Sequence, residues 1–195
     1  MIDAYAHSKA VGQTDLERAV ALYYAVRDDF RYDPFRIDLS PEGMKPERVI
    51  ENGYGWCVPK AALLSACCRE VGIPARLGFA DVRNHLSTPR LLEKMRTDVF
   101  AWHGFSEIFL EGKWVKATPA FNRQLCEKSG LRPLDFNGRE DSIFHEYDGG
   151  RQHMEYLKMH GSFDEVPLER MLAAYQETYP HWDLQSLAEG GETGL

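Results

Sequence analysis

The residues best suited to chemistry begin with a cysteine that follows a glycine-punctuated loop. Gly53-Tyr54-Gly55-Trp56 runs into Cys57-Val58-Pro59-Lys60-Ala61-Ala62-Leu63-Leu64. Pro59 suits a first helical turn, where its missing N–H is no loss. Cys57 is therefore expected at a helix N-terminus, where unpaired N–H groups and the macrodipole favour a thiolate and lower the thiol pKa. A cysteine nucleophile needs a base, usually histidine, and a group that orients the base. Among seven histidines, His103 stands out, because Phe100-Ala101-Trp102-His103-Gly104-Phe105-Ser106-Glu107 reads as a strand. A thiol at a helix start and an imidazole on a strand are the parts of nucleophilic acyl chemistry.

The elements that must position them follow from pattern. Thr14-Asp15-Leu16-Glu17 is a capping box that opens a helix to about residue 29. Residues 46–50 read as a short helix leading into the cysteine loop. The cysteine helix continues to about residue 69, with Leu63, Leu64, Cys67, Cys68 and Val71 as its apolar stripe, and stops at Gly72 before Pro74. Residues 75–82 read as a strand. Residues 85–98 break the periodicity, with a turn or two of helix at 90–96, and are a candidate lid. Residues 99–110 and 113–119 form a hairpin about Glu111-Gly112. Residues 134–136 and 142–147 read as a second hairpin about Asn137-Gly138. Residues 148–156 read as a surface loop with a helical turn, ahead of a role in lining a cleft. A last helix starts at Pro167 and ends near 178. Helices first and antiparallel strands after predict an α+β fold. The division expected is one domain over residues 1–186 and a disordered tail over 187–195.

Composition narrows the function. The net charge of −7 and the lack of a basic stripe argue against a nucleic-acid partner. No apolar run is long enough to span a membrane. No charged n-region or apolar h-region opens the chain, so secretion is not expected. The four cysteines, two of them adjacent, are not a disulfide framework, and a reducing cytoplasm is expected. Cys67 and Cys68 read as core, and Cys126 is given no role. His145, His153, His160 and His181 match no zinc spacing, and Gly149-Gly150 is not a phosphate loop, so no metal and no organic cofactor are expected.

Cys57, His103 and their flanks resemble the transglutaminase-like superfamily, which has a papain-like cysteine-protease fold. The matching residues are Cys57, then Gly72-Ile73-Pro74-Ala75-Arg76, then His103 and Glu107, then Gly112 and Trp114, within residues 49–120. The resemblance implies that the cysteine helix packs on the antiparallel sheet, with Cys57 as nucleophile and His103 as general base and acid. The chain departs from the family where an aspartate would complete the triad, because Thr118 stands there. A two-residue turn at Glu111-Gly112 places Glu107 opposite Lys116 as an ion pair, and Thr118 opposite Phe105 on the face of His103. A threonine hydroxyl can orient an imidazole but cannot stabilise an imidazolium as a carboxylate does. Asn122 and Asp81 are alternative orienters. The Cys57 N–H is one oxyanion donor, and Trp56, Tyr54 and Asn52 lie where a second could arise.

The reading is a cysteine-nucleophile hydrolase or acyltransferase acting on amide bonds through a thioester, with protease or amidase chemistry favoured over cross-linking. Its substrate is a peptide, a protein or a small amide. The alternative is a catalytically impaired module of the same fold that binds a peptide or protein. An arylamine acetyl-transferring enzyme of related fold ranks below both, since such enzymes usually carry the full acid and a longer chain.

Overall fold

A helix buried on nearly every side runs through the protein, and the other elements are arranged around it. The computed structural model describes residues 1–85, 87–143, 146–147, 151–152 and 154–191. In chain order the elements are α1 (Ile2–Lys9), α2 (Asp15–Asp29), β1 (Arg31–Tyr32), α3 (Glu47–Asn52), β2 (Tyr54–Gly55), α4 (Cys57–Glu70), β3 (Ala75–Asn84), α5 (Pro89–Met95), β4 (Val99–Leu110), β5 (Lys113–Ala117), α6 (Arg123–Ser129), β6 (Glu146–Tyr147), β7 (Arg151–Gln152), β8 (Met154–Phe163), α7 (Leu168–Thr178) and α8 (Leu184–Ala188). The fold is α+β, as expected. The capping box at Thr14 is formed, with Glu17 N–H donating to Thr14 Oγ1 and the Glu17 carboxylate accepting from the Thr14 N–H.

Helix α4 begins at Cys57, with Trp56 extended at its N-cap. Every residue from Cys57 to Ser65 is buried, as are Cys67 and Cys68, so the helix is core rather than amphipathic surface. Gly72, at φ 81°, turns the chain out of the helix while the Ile73 N–H returns to the Cys68 carbonyl at 2.8 Å. This is a C-terminal turn that a left-handed glycine makes possible.

The main sheet is antiparallel, in the order β5-β4-β3-β8. The hairpin register is the expected one, with Leu110 opposite Lys113 and Glu107 opposite Lys116. The expected ion pair is not made. Glu107 binds Arg76 at 2.6 Å and the Ser162 hydroxyl at 2.7 Å, and Lys116 turns to Asp141 at 3.3 Å. The helix and the sheet approach closely at β4. A Cβ on Gly104 would stand 3.0 Å from the Val58 Cα, and the Ser106 hydroxyl donates to the Ala61 carbonyl at 2.9 Å. One residue type therefore permits the contact that brings the start of α4 onto the strand carrying His103.

Three expectations need correction. Among the described residues, 134–136 and 142–147 do not pair as a second hairpin, and residues 146–147 pair instead with 151–152. Ser142 makes a single parallel bridge to Ala117, and the Asn137 side chain accepts from the N–H groups of Arg139 and Glu140, a local turn that competes with strand pairing. Residues 154–156, read as the end of a surface loop, belong to β8, a long edge strand whose many exposed positions give little apolar alternation. His145, residues 148–150 and His153 lie outside the described residues. Finally, the boundary expected at 187 falls inside α8. Leu187 is buried there, and its carbonyl accepts from the Leu39 N–H at 3.1 Å. Residues 192–195 lie outside the described residues.

Lys60, one turn into α4, is fully buried. Its Nζ donates to the carbonyls of Arg27 (2.9 Å), Phe30 (2.7 Å) and Ala120 (2.9 Å). The end of α2 and the segment after Thr118 are thus tied to the cysteine helix by one ammonium. Burial pushes its pKa down to about 7, while three carbonyl acceptors favour the charged form. Lys60→Met should lower unfolding stability by about 3 kcal/mol or more, because three carbonyls lose a buried partner. Urea denaturation measures this, and a loss under about 1 kcal/mol would show that the carbonyls find other partners.

Candidate active site

Cys57 and His103 line one small cavity of about 40 Å³. Tyr32, Trp56, Phe100, Tyr175, Tyr179 and Trp182 are among the other walls. The backbone N–H groups of Gly104, of Val58 and of Cys57 itself lie near enough to the sulfur to favour its thiolate. The first comes from β4 and the others from the opening turn of α4. The contact that glycine allows between strand and helix therefore supplies the thiol with a donor.

The electrostatics differ from the expectation at the helix start. Cys57 is 7% exposed. Burial pushes its pKa up to about 11, and the N–H groups around the sulfur only partly oppose this. His103 is 3% exposed, and burial pushes its pKa down to about 4. Desolvation disfavours the charged form of each group. The pair rests as neutral thiol and neutral imidazole, and no hydrogen bond joins them.

His103 Nε2 is buried and has no hydrogen-bond partner among the described residues, and Thr118 Oγ1 is buried beside the Tyr156 hydroxyl. Strand β5 ends at Ala117, and the Thr118 N–H goes to the Ser142 carbonyl at 3.0 Å. The Tyr156 hydroxyl stands close to Thr118 and donates to the Ile143 carbonyl at 3.1 Å. Its ring meets the His103 ring edge-on at 6.3 Å.

The other expected site residues are placed as follows. Asn122 is buried, and its Oδ1 accepts from the Tyr32 N–H at 3.0 Å, so it fastens β1 rather than the imidazole. Asp81 Oδ1 accepts from the Trp102 N–H at 3.0 Å and lies 2.7 Å from His160 Nε2. Trp56 is a wall of the cavity. Tyr54 and Asn52 line a different cavity, of about 190 Å³, with Arg36 and Arg48. The guanidinium of Arg36 lies 5.0 Å from the centre of the Tyr54 ring. A larger cavity, of about 490 Å³, lies between α4 and residues 164–168 and contains neither Cys57 nor His103.

Several residues of the site have only faint signals in the sequence. Gly104 is a glycine within a strand, a mark of close backbone approach. Lys60 is a lysine three residues after the cysteine inside an apolar helix. Tyr175, Tyr179 and Trp182 cover the cavity from α7 and the chain beyond it. The Tyr179 hydroxyl accepts from the Ala101 N–H at 2.8 Å and donates to the Val99 carbonyl at 3.1 Å, and its ring stacks on Trp182 at 4.4 Å. His181 Nε2 donates to the Lys94 carbonyl at 2.8 Å. The thiol is therefore closed over by an aromatic cover.

The transglutaminase-like superfamily model matches residues 3–119. Among solved structures, the chain is similar to a candidate cysteine protease from Cytophaga hutchinsonii, with 15% identity, 84% of this chain and 51% of that one covered, and a TM-score of 0.45. It is also similar to a candidate protease from Parabacteroides distasonis, with 15% identity, 60% of this chain and 22% of that one covered, and a TM-score of 0.41. The chain thus spans about half the length of the first and about a fifth of the second. None of the curated proteins compared with the chain matches it.

Two outcomes follow from the buried pair. The folded state holds His103 neutral down to about pH 4, while in the unfolded chain it takes up a proton near 6.5. Its contribution to stability is complete above 6.5 and is lost as pH falls toward 4, to a total of about 3 kcal/mol. Unfolding free energies measured over that range should fall less steeply for His103→Gln than for the parent. The aromatic cover should also limit access to the thiol. Iodoacetamide should alkylate native Cys57 slowly, and Tyr179→Phe, which removes two hydrogen bonds from the cover, should speed this about tenfold. Equal rates would show that the cover does not limit access.

Proposed function

The chain belongs to the transglutaminase-like superfamily, and on that premise we propose that it is a cysteine-nucleophile enzyme acting on amide bonds, with Cys57 and His103 as its catalytic residues. The observation that carries this reading is the shared cavity. A thiol at the first position of α4 and an imidazole on β4 meet the same space, with the Gly104 N–H near the sulfur.

The chemistry divides into two transfers. His103 takes the thiol proton as sulfur attacks the acyl carbon of an amide. The tetrahedral oxyanion is held by backbone N–H groups at the start of α4. The C–N bond breaks, His103 gives its proton to the departing amine, and a thioester remains. Water attacks the thioester, His103 accepts its proton, and the acid and the free thiol are released. An amine in place of water gives acyl transfer. Hydrolysis is favoured, because water needs no second binding site. A peptide or protein donor suits a chain of this superfamily, and a small amide suits the size of the closed cavity. The cover must move before any substrate reaches the thiol. In the closed form, burial of both groups opposes formation of the ion pair that attack requires. Entry of solvent or of a polar substrate would relax both shifts.

The charge of −7 supports a partner other than nucleic acid. Among the described residues no helix is long and apolar enough to cross a membrane. Four free thiols support a reducing compartment such as the cytoplasm.

A second reading, a peptide- or protein-binding module of impaired activity, is favoured by one observation. Among the described residues His103 Nε2 has no hydrogen-bond partner.

Purified protein assayed against peptide-amide and ester donors, with and without an added amine, separates the readings. Turnover abolished by Cys57→Ala and by His103→Ala establishes the enzyme. Peptide capture that survives Cys57→Ala, with no turnover, establishes the module. Thr118→Asp should place a carboxylate where the family has its aspartate, raise the His103 pKa and increase the rate of thiol acylation about tenfold or more. An unchanged pH profile would show that residue 118 is not the orienting position.

A further inference from the structure

The strand that carries His103 is irregular at the residue before it. Ala80 pairs with His103 and Val82 with Phe100, so Asp81 faces two residues of β4, Ala101 and Trp102. This is a β-bulge, and Trp102 lies in it at φ 56°, a left-handed conformation that a bulky residue adopts only when its surroundings impose it. A second irregularity faces it across β3. Phe79 pairs with Gly161 and Ala80 with Met159, which leaves His160 as the extra residue of β8.

These two extra residues meet. Strands β4 and β8 lie on either side of β3, so regular neighbours on them would stand about 9–10 Å apart. Instead the His160 ring stacks on the Trp102 indole with centroids 4.3 Å apart and planes 5° apart. Asp81, between them, binds both through a single oxygen. Oδ1 accepts from the Trp102 N–H at 3.0 Å and from His160 Nε2 at 2.7 Å. The carboxylate holds the bulged backbone, and the imidazole holds the indole that the bulge turns toward it. Phe79 and Phe163 pack around the same indole at 5.5 and 6.0 Å.

We infer that Asp81 and His160 are positioning residues for His103: by clamping Trp102 in its bulge they set the direction in which the next side chain of β4 is presented to the cavity. Bulges beside active sites re-aim side chains. This one adjoins an imidazole whose Nε2 has no hydrogen-bond partner among the described residues. The backbone clamp supplies the restraint that a triad acid supplies through the ring. The role rests on the Cys57–His103 reading for its catalytic meaning, but the position of the imidazole can be measured without turnover.

The test uses the full chain labelled with nitrogen-15. The His103 imidazole nitrogen signals report its placement, and Cys57 alkylation is followed across a pH series. Asp81→Ala should move the His103 signals, change the pH profile of alkylation and slow its imidazole-dependent part about tenfold. Asp81→Asn, which keeps an oxygen for the Trp102 N–H, should restore both. His160→Phe keeps an aromatic ring on the indole and loses the bond to Asp81. It should move the His103 signals in the same direction. A folded Asp81→Ala with parental His103 signals and pH profile overturns the inference. If Asp81→Ala does not fold, parental His103 signals in His160→Phe overturn it. Alkylation that ignores His103→Ala would instead sink the Cys57–His103 reading, while the imidazole signals still decide whether Asp81 places the ring.

Discussion

The approach of α4 to β4 is the constraint on which the rest of the structure depends. It exists because Gly104 has no side chain and Val58 can stand against its backbone. Three consequences follow from that contact. The helix start lies against the strand that holds His103. The Gly104 N–H reaches the sulfur of Cys57. The helix is then enclosed so completely that a lysine within it has only backbone carbonyls to bind, and those carbonyls belong to the end of α2 and to the segment after Thr118. A site built from distant parts of the chain is held by one close contact and one buried cation.

Enclosure also decides the charge state of the site. A helix N-terminus favours a thiolate, yet burial outweighs it at Cys57, because only a few N–H groups replace the hydration of the anion. The same loss of water keeps His103 neutral. Each group discourages the charge that the other would need as a partner. Enclosure that keeps water from the thiol keeps polar reagents from it as well.

Much of this was legible in the sequence, and the limits have physical causes. The cysteine helix, the capping box at Thr14, the strand through His103 and the hairpin register all rest on local signals, and they are found as read. The resemblance that assigned Cys57 and His103 covers the part of the chain where such signals are strong. What escaped depends on distant contacts. Strand β8 is an edge strand with many exposed positions, so its alternation is weak. Asn137-Gly138 resembles a hairpin turn, but the asparagine side chain satisfies the backbone locally. From its place on the neighbouring strand Asp81 is one of several alternative orienters of the imidazole. Only the two bulges reveal that its oxygen serves Trp102 and His160. Burial overrides the helix dipole at Cys57, and a sequence does not state how deeply a helix end is buried.

The aromatic cover has a meaning beyond access. Residues 3–119 match the family model, whereas Tyr175, Tyr179 and Trp182 come from the chain beyond it. The thiol and imidazole and one part of the wall around them therefore come from separate stretches of polypeptide. Substitutions in the later stretch would reshape that wall without touching the elements that carry the thiol and the imidazole. The two hydroxyl bonds of Tyr179 to β4 are the seam between these stretches.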